Sequence, residues 1–279
     1  MKEKAKRDAG LIALITDFGN KDYFVGVMKG VIKQINPAAE IIDISHEIAS
    51  YNLLSASFVL DQSYLFFPLG TLFLVVVDPG VGTERKLLLV EYGGRFFIGP
   101  NNGVLTPILE KEEKSVYILD NEDYFLIKGH STFEGRDKMA PAAAYLSRGI
   151  EPREMASFLQ PPLHSREIVL IPAYSPTLLA NGIDARVVYI DKFGNVITNV
   201  NVDFLFNTLE TSGFTKFKAR LNENEIKTFY DTYGHAGVGL EPFMLTGSHQ
   251  NLEIALNRQS AASMFNVEIG QKVFIEFYR

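Results

Sequence analysis

An aspartate and an arginine in one segment are the side chains most able to do chemistry. The segment Thr71–Lys86 reads TLFLVVVDPGVGTERK. Its apolar, β-branched start, Leu72–Val77, predicts a strand that is buried on both faces. Pro79 stops the strand, so Asp78 falls at its carboxyl end, where open α/β sheets place their ligand crevices. Arg85 follows after a glycine-containing turn, and the pair can either contribute to a ligand crevice or form a solvated ion pair.

A second aspartate occupies the same kind of position. The apolar run Leu11–Thr16 predicts a buried strand, and Asp17-Phe18-Gly19 follows it directly. Protein kinases share this tripeptide, but the glycine-rich loop, strand lysine and His-Arg-Asp loop that a kinase needs are missing. Asp17 can therefore contact a ligand or cap a helix, and Asp22 is interpreted most simply as the N-cap of the next helix.

A third polar motif precedes an alanine-rich helix, Lys138–Ser147. The motif Thr132–Asp137 reads TFEGRD, and Asp137 can cap that helix. Capping does not explain why Glu134 and Arg136 flank a glycine. Glu134 is therefore a further candidate for the site.

Two polar turns in the second half of the chain are weaker candidates. Asp191–Asn195 reads DKFGN between two predicted strands and needs no function as a hairpin turn. Gly247–His249 can likewise be plain loop.

The composition excludes several kinds of site. The chain has no cysteine, which rules out disulfides, thiolate metal sites and cysteine nucleophiles. The five histidines lack the short spacings that bring two side chains onto one metal. Clustered carboxylates could hold magnesium, but no lysine or serine motif for phosphate accompanies them. We expect neither a metal nor another cofactor.

Strands that alternate with helices over the first half predict βαβ units. The fold class is therefore α/β, with a larger amino-terminal layered domain and a mostly parallel sheet. The predicted strands and helices are Leu11–Thr16, Asp22–Gln34, Glu40–Ile44, Tyr51–Tyr64, Leu72–Val77, a hairpin of Lys86–Val90 with Arg95–Ile98, and Val116–Leu119.

The segment Glu151–Pro176 holds five prolines and has no clear period, which predicts a linker. The domains are then residues 1–172 and 173–279, and short strands with turn residues between them predict a smaller, β-rich second domain. The predicted strands are Ile183–Ile190, Val196–Val200, Phe214–Leu221, Pro242–Thr246, Leu252–Leu256 and Lys272–Tyr278.

Length and charge limit the partners. The chain has 279 residues, 47% hydrophobic and 22% charged, as in ordinary globular proteins. A net charge of -6 argues against nucleic acid as a partner. The apolar runs are far shorter than the roughly 20 residues of a membrane helix, and none forms a signal-peptide core, so a cytoplasmic location without membrane contact is expected.

Taken in order, these motifs resemble the S-adenosylmethionine hydrolase (adenosine-forming) family, also called hydroxide adenosyltransferases, which is related to the fluorinating and chlorinating enzymes. The resemblance runs from Leu11 to about Val273. It implies an α/β domain followed by a β-rich domain, and a homotrimer whose substrate lies between domains of neighbouring subunits.

The resemblance also implies roles for single residues. Asp17 matches the aspartate that binds the ribose hydroxyls. Asp22, Asp191 and Ser248 would hold the methionine part. Asn195 would read the adenine and Tyr233 would stack on it. Phe193 is a further substrate-binding residue.

Hydrolases of this family use an Asp-Arg-His triad beside the attacking water. Asp78 and Arg85 match its first two members, but the third falls on Glu134. His130, four residues earlier, is an alternative third member. The halogenating relatives lack the matching acid and arginine, and the extra loop of the fluorinating enzymes is missing from this sequence.

The implied reaction is attack of water or hydroxide on the ribose C5′ of S-adenosyl-L-methionine, giving adenosine and L-methionine. Two alternatives stay open. The missing histidine would fit a protein that binds S-adenosylmethionine or adenosine without turnover, and a halide-using enzyme is a minor alternative.

Overall fold

The structure is a computed structural model that describes residues 10–161, 163, 167–172, 174–235 and 241–279. The chain divides into two units, Met1–Ile171 and Pro172–Arg279. The sequence-based boundary lies one residue later. None of the helices in the described ranges is long and apolar enough to cross a membrane.

The amino-terminal unit consists of a seven-stranded sheet with helices on both faces. Its strands are β1 (Leu11–Thr16), β2 (Glu40–Ser45), β3 (Leu72–Val76), β4 (Leu87–Tyr92), β5 (Arg95–Pro100), β6 (Ser115–Leu119) and β7 (Ala156–Phe158). Its helices are α1 (Phe24–Ile35), α2 (Leu53–Ser63), α3 (Thr106–Leu109), α4 (Ala140–Ser147) and α5 (Pro152–Met155), with short 3-10 turns at Tyr64–Phe66 and Glu122–Tyr124 and a π-helical turn at Gly135–Met139.

The sheet is parallel over only one half, so the prediction of a mostly parallel sheet was wrong. The strand order is β2-β1-β3-β5-β4-β6-β7. The first three neighbouring pairs are parallel and the other three are antiparallel. The reversal begins at the predicted hairpin, where Gly93 and Gly94 both adopt positive φ and join β5 to β4 by a two-residue turn.

Strand β3 lies inside the sheet, between β1 and β5, and contributes to the two cores of this unit. Leu72, Leu74 and Val76 pack on the face that α1 and α4 cover. Phe73, Val75 and Val77 pack on the opposite face with α2 and α3. Because both faces are buried, the strand is apolar throughout, as the sequence indicated.

Two predicted helix caps were wrong. Helix α1 begins at Phe24, and its N-cap, Tyr23, makes no side-chain capping bond, so Asp22 does not cap it. Asp137 lies inside the π-helical turn that precedes α4, and its carboxylate accepts hydrogen bonds from Ser131 and Arg136 instead. Helical geometry therefore starts earlier in the chain than a cap at Asp137 would allow.

The predicted linker Glu151–Pro176 is partly structured. Pro152 opens α5, and a capping box between Glu151 and Glu154 holds this short helix in place. Strand β7 follows and pairs with β6, so the proline-rich stretch adds an edge strand to the sheet. Residues 162, 164–166 and 173 of this stretch lie outside the described residues.

The carboxyl-terminal unit is built around a nine-stranded sheet, which confirms the prediction of a strand-rich second part. Its strands are β8 (Thr177–Leu179), β9 (Gly182–Ile190), β10 (Val196–Asn201), β11 (Lys216–Leu221), β12 (Asn224–Ile226), β13 (Phe229–Tyr230), β14 (Phe243–Thr246), β15 (Asn251–Ala255) and β16 (Lys272–Tyr278). Two helices that the sequence analysis did not identify are α6 (Val202–Ser212) and α7 (Ala261–Phe265).

Candidate functional site

The first cavity of the amino-terminal unit, of about 290 Å³, opens at the carboxyl ends of β1 and β3. These strands are parallel neighbours, and the residues that follow them, Asp17 and Asp78, both line the cavity. Glu134 reaches it from the segment just before the π-helical turn. The fold therefore brings together three carboxylates that are far apart in sequence.

Asp17 is held by the backbone of the loop before α2. Its Oδ2 atom accepts a hydrogen bond of 2.8 Å from the amide of Tyr51, which adopts the left-handed conformation (φ 66°). Burial raises the pKa of Asp17 above its usual value, and the negative charge of Asp78 adds to this, although the amide hydrogen bond opposes it. An acid whose ionised form is disfavoured by its surroundings is a good candidate for ligand contact.

Aromatic side chains form the apolar wall of the first cavity. The rings of Phe18, Phe24 and Phe133 lie 5.4 to 5.5 Å apart and meet mostly edge to face. All three residues line the cavity together with the carboxylates. The cavity can therefore take a ligand that has both an apolar surface and hydroxyl or cationic groups.

Asp78, Arg85, Glu134 and Lys138 form a continuous chain of alternating charge. Arg85 donates from Nε to Asp78 Oδ1 at 2.6 Å and from Nη2 to Asp78 Oδ2. Its Nη1 atom lies 2.6 Å from Glu134 Oε2, and Lys138 Nζ donates to Glu134 Oε1 at 2.6 Å. Two acids and two bases make the cluster neutral in total.

The contact between Arg85 and Glu134 is a close charge pair without an aligned hydrogen bond. Among the described residues, neither Arg85 Nη1 nor Glu134 Oε2 has a hydrogen-bond partner of good geometry, although both atoms are buried. The side chains of the two residues are 9% and 5% exposed. The donor and the acceptor are thus held side by side as a buried ion pair.

The charge chain sets the protonation states of its members. Burial opposes ionisation of Glu134, but its contacts with Lys138 and Arg85 outweigh burial and hold the pKa of Glu134 below its usual value. Burial would also lower the pKa of Arg85, but the carboxylates of Asp78 and Glu134 raise it overall. Both groups are therefore charged at neutral pH.

Close packing fixes the backbone that carries Glu134. A Cβ atom on Gly135 would lie 3.0 Å from Val76 and 3.3 Å from the ring of Phe133, so a larger residue has little room there. Asp137, which is fully buried, binds Ser131 and Arg136 on the same turn. The glycine of the TFEGRD motif is thus explained by packing against β3.

A second cavity, of about 360 Å³, lies on the other side of the charge chain. Arg85, Glu134 and Lys138 line it together with His130. His130, the alternative third member of the triad, is exposed, whereas the contact with Arg85 is made by Glu134. Glu134 lines both cavities of this unit.

The carboxyl-terminal unit has a cavity of its own, of about 600 Å³. Four of the sequence-predicted substrate residues line it: Asp191, Phe193, Asn195 and Tyr233. The Asp191 carboxylate accepts hydrogen bonds from the amides of Phe193 and Asn195 and from the Asn195 side chain. The DKFGN turn is therefore rigid, with the Phe193 ring 75% exposed above it.

A buried acid holds Tyr233 in this carboxyl-terminal cavity. The hydroxyl of Tyr233 donates to Glu253 Oε1 and receives a hydrogen bond of 3.2 Å from Asn195. Burial raises the pKa of Tyr233, and the hydrogen bond to Glu253 raises it further. Tyr233 is thus a neutral donor whose ring is half exposed to the cavity.

Two sequence-predicted residues lie outside these cavity walls. Asp22 is exposed in the turn before α1, and Ser248 is exposed in the turn between β14 and β15.

Three residues with evident parts in the site were missed by sequence reasoning. Lys138 stands four positions after Glu134, which is the helical spacing for an ion pair and could have identified it. Glu253 could have been noticed as an acid within the apolar strand β15. The positive φ of Tyr51 leaves no signal in the sequence.

The described residues contain no group of three or more histidine, aspartate or glutamate side chains that could hold a metal ion.

The fold and the site together define the class of protein. It is a two-unit α/β protein that has carboxylates at the ends of adjacent parallel strands and an Asp–Arg–Glu cluster beside them. The model of the SAM hydroxide adenosyltransferase N-terminal domain matches residues 12–156, and that of the SAM hydroxide adenosyltransferase C-terminal domain matches residues 185–274. The chain belongs to the SAM hydroxide adenosyltransferase family.

Relatives of two kinds are similar to the chain. The (R)-S-adenosyl-L-methionine hydrolase of Methanocaldococcus jannaschii is 36% identical over 69% of this chain and 68% of its own. That of Thermus thermophilus is 29% identical over 94% of this chain and 98% of its own. A fluorinase of Actinoplanes is 25% identical over 95% of this chain and 97% of its own.

A solved structure has the same fold. An uncharacterised conserved protein from Thermotoga maritima is 35% identical and superposes with a TM-score of 0.82, covering 96% of this chain and 100% of that one.

Proposed function

We propose that this protein hydrolyses S-adenosyl-L-methionine to adenosine and L-methionine. Water or hydroxide attacks C5′ of the ribose, the C5′–S bond breaks, and its electron pair returns to sulfur, which leaves as a neutral thioether. The attacking water gives one proton to the Glu134 carboxylate, which passes it to solvent, and the water oxygen becomes the new 5′-hydroxyl. The single observation that carries the proposal is that Asp17, Asp78 and Glu134 line one cavity, with Arg85 paired to both Asp78 and Glu134.

The protein has to place and polarise one water. In this proposal Arg85 donates to the water and favours its hydroxide character, and Glu134 accepts a hydrogen bond from it. Asp78 holds the guanidinium through two hydrogen bonds, so it orients Arg85 rather than touching the water. The sulfonium needs no acid, because it already leaves as a neutral group.

The substrate residues divide between the two units. Asp17 binds the ribose hydroxyls, and the aromatic wall of the first cavity keeps bulk water away from C5′. Asp22, Asp191 and Ser248 bind the methionine part in this proposal. Phe193, Asn195 and Tyr233 form the adenine site in this proposal. The amide group of Asn195 and the hydroxyl group of Tyr233 line the same carboxyl-terminal cavity, which supports this assignment.

The first test is an incubation with S-adenosyl-L-methionine, with and without halide, read by chromatography. Adenosine and methionine support the hydrolase. Bound but intact ligand would support a non-catalytic binding protein, for which Glu134 in place of histidine is the favouring observation. A halide-dependent product would support a halogenase, which the 25% identity to a fluorinase keeps as a minor candidate.

Asp17→Ala should weaken ligand binding at least tenfold. It removes hydrogen bonds to two ribose hydroxyls, a loss on the order of 2–4 kcal/mol if charge-assisted bonds contribute about 1.5–3 kcal/mol each and water offsets part of them. Calorimetry with adenosine measures the affinity. Asp17→Asn is the matched control, since it can still accept the bond from Tyr51. Unchanged affinity in both variants would leave Asp17 a role in loop structure only.

We also propose a homotrimer and a cytoplasmic location. The trimer follows from the family resemblance, which places the substrate between neighbouring subunits. Light scattering should give three times the chain mass of 31.2 kDa. A clean monomer mass at micromolar concentration, together with full ligand binding, would contradict it.

A further inference from the structure

Glu134 is one of the most deeply buried charges of the amino-terminal unit, at 4% exposure. Arg85 lies against one of its oxygens but already carries a bidentate contact with Asp78. Asp78, Arg85 and Glu134 alone would bring a net negative charge into a mostly buried site. Burying an uncompensated charge is costly, so the site needs a second cation.

Lys138 is the side chain that meets this need. Its ammonium group donates to Glu134 Oε1 at 2.6 Å, and its side chain is only 14% exposed. The ring of Phe125 lies 5.7 Å from the ammonium nitrogen and limits where the side chain can go. The π-helical turn sets the spacing between the two residues.

The location of Lys138 separates it from the substrate. It lines the second cavity, whereas the first cavity, which holds Asp17 and the aromatic wall, is lined by Glu134 and not by Lys138 among the described residues. Lys138 donates a hydrogen bond to Oε1 of Glu134, and Oε2 lies beside Arg85 Nη1. Arg85 has the same placement relative to the two cavities, but its Nη1 lies beside Oε2, whereas the ammonium group of Lys138 bonds to Oε1. In this proposal Lys138 therefore acts through Glu134.

We infer that Lys138 is a positioning residue that keeps Glu134 ionised and turned so that Oε2 faces the attacking water. This inference rests on the proposed hydrolysis. It explains how a carboxylate can stand where the family resemblance expects a histidine: a neutral imidazole needs no second cation, but a carboxylate does.

Other titratable groups face Glu134 from the neighbouring segments and set the background of any pH dependence. Around the second cavity these are Glu84, Arg85, Lys86, Asp120, Glu122 and His130. Around the first cavity they are Asp17, Tyr51 and Asp78, and burial raises the pKa of Asp17. Their charges are mixed in sign. Lys138 is distinguished from them by its direct contact with Glu134.

The test is a cycle of four proteins: wild type, Lys138→Met, Glu134→His and the double variant. In the wild-type background Lys138→Met should slow single-turnover hydrolysis about tenfold, the size expected from losing one buried charge-assisted hydrogen bond. It should also move the acidic limb of the pH–rate profile upward, because Glu134 then ionises at higher pH. In the Glu134→His background the same change should have little effect.

Two controls separate charge from mere structure. Lys138→Arg keeps the cation and should keep most of the rate. Lys128→Met removes the exposed partner of Asp123 and should change nothing. An equal rate loss from Lys138→Met in both backgrounds, or an unshifted pH profile, would overturn the inference.

A failure of the proposed hydrolysis can be told apart from a failure of the inference about Lys138. If the wild type releases no adenosine, the hydrolase is wrong, but the denaturation midpoints of the same four proteins still report the pairing. A non-additive loss of stability for Lys138→Met that disappears with Glu134→His supports the charge pairing. Additive losses of stability overturn the inference. If Lys138→Met folds poorly, the double variant, which carries neither charge, keeps the test valid.

Discussion

Glu134→Ala should abolish the hydrolysis of S-adenosyl-L-methionine and leave the affinity for adenosine nearly intact. The variant removes the acceptor for the attacking water, while Asp17 and the aromatic wall remain. Glu134→Gln is the matched control, since it keeps the size of the side chain and loses the charge. Single-turnover rates and calorimetry measure the two effects. Wild-type activity that survives in Glu134→Ala but vanishes in His130→Ala would move the role to His130.

The pH dependence of the hydrolysis rate follows from the ionisation of Glu134. Because Lys138 and Arg85 hold the pKa of Glu134 low, the residue is ionised from weakly acidic pH upward. So weak a base accepts a proton poorly at neutral pH, which predicts a slow enzyme. The wild-type rate should lack an inflection near the histidine value of about 6.5. Glu134→His should preserve or raise the rate and introduce that inflection; rates between about pH 5 and 9 decide it.

Arg85→Met should remove activity and also destabilise the fold. It leaves the carboxylates of Asp78 and Glu134 without the cation between them, and breaking a buried pair costs about 3–5 kcal/mol. Denaturant unfolding at neutral pH measures the loss. An exposed ion-pair variant, Lys128→Met, is the comparison and should stay close to wild type.

The sign of the pH effect on stability provides a second check. The folded-state pKa of Glu134 is lowered, so its contribution to stability is present above the unfolded value, near 4.5, and is lost as pH falls through the lower folded value. The difference between wild type and Arg85→Met should therefore shrink in acid. A difference that does not change with pH would mean that Arg85 stabilises the unit by packing alone.

The parts of the fold that could be predicted are those with a strong local pattern. Strands β1 and β3 are continuous apolar runs ended by Asp17 and Asp78, and both were expected from the sequence. The paired glycines gave the hairpin of β4 and β5. The other two antiparallel pairs, β4 with β6 and β6 with β7, were missed, because they join segments that are far apart in the sequence and carry no sign of their direction.

The sequence analysis named the candidate site residues one by one and did not describe the contacts among them. Asp17 and Asp78 meet because adjacent parallel strands end at one edge, which the sequence allows one to expect, whereas Glu134 joins them from the segment before the π-helical turn. Lys138 was interpreted only as part of an alanine-rich helix, although it pairs with Glu134 four positions earlier. Asp137 was interpreted as a cap because the π-helical turn around it has no recognisable sequence pattern.

Hydrolysis in water enriched in oxygen-18, followed by mass spectrometry of both products, tests the central claim most directly. Attack of water at C5′ puts the heavy oxygen into the 5′-hydroxyl of adenosine and none into methionine. The account predicts adenosine that is heavier by one oxygen-18 substitution and unlabelled methionine. Unlabelled adenosine, label in the amino-acid product, or a nucleoside that still carries sulfur would contradict it.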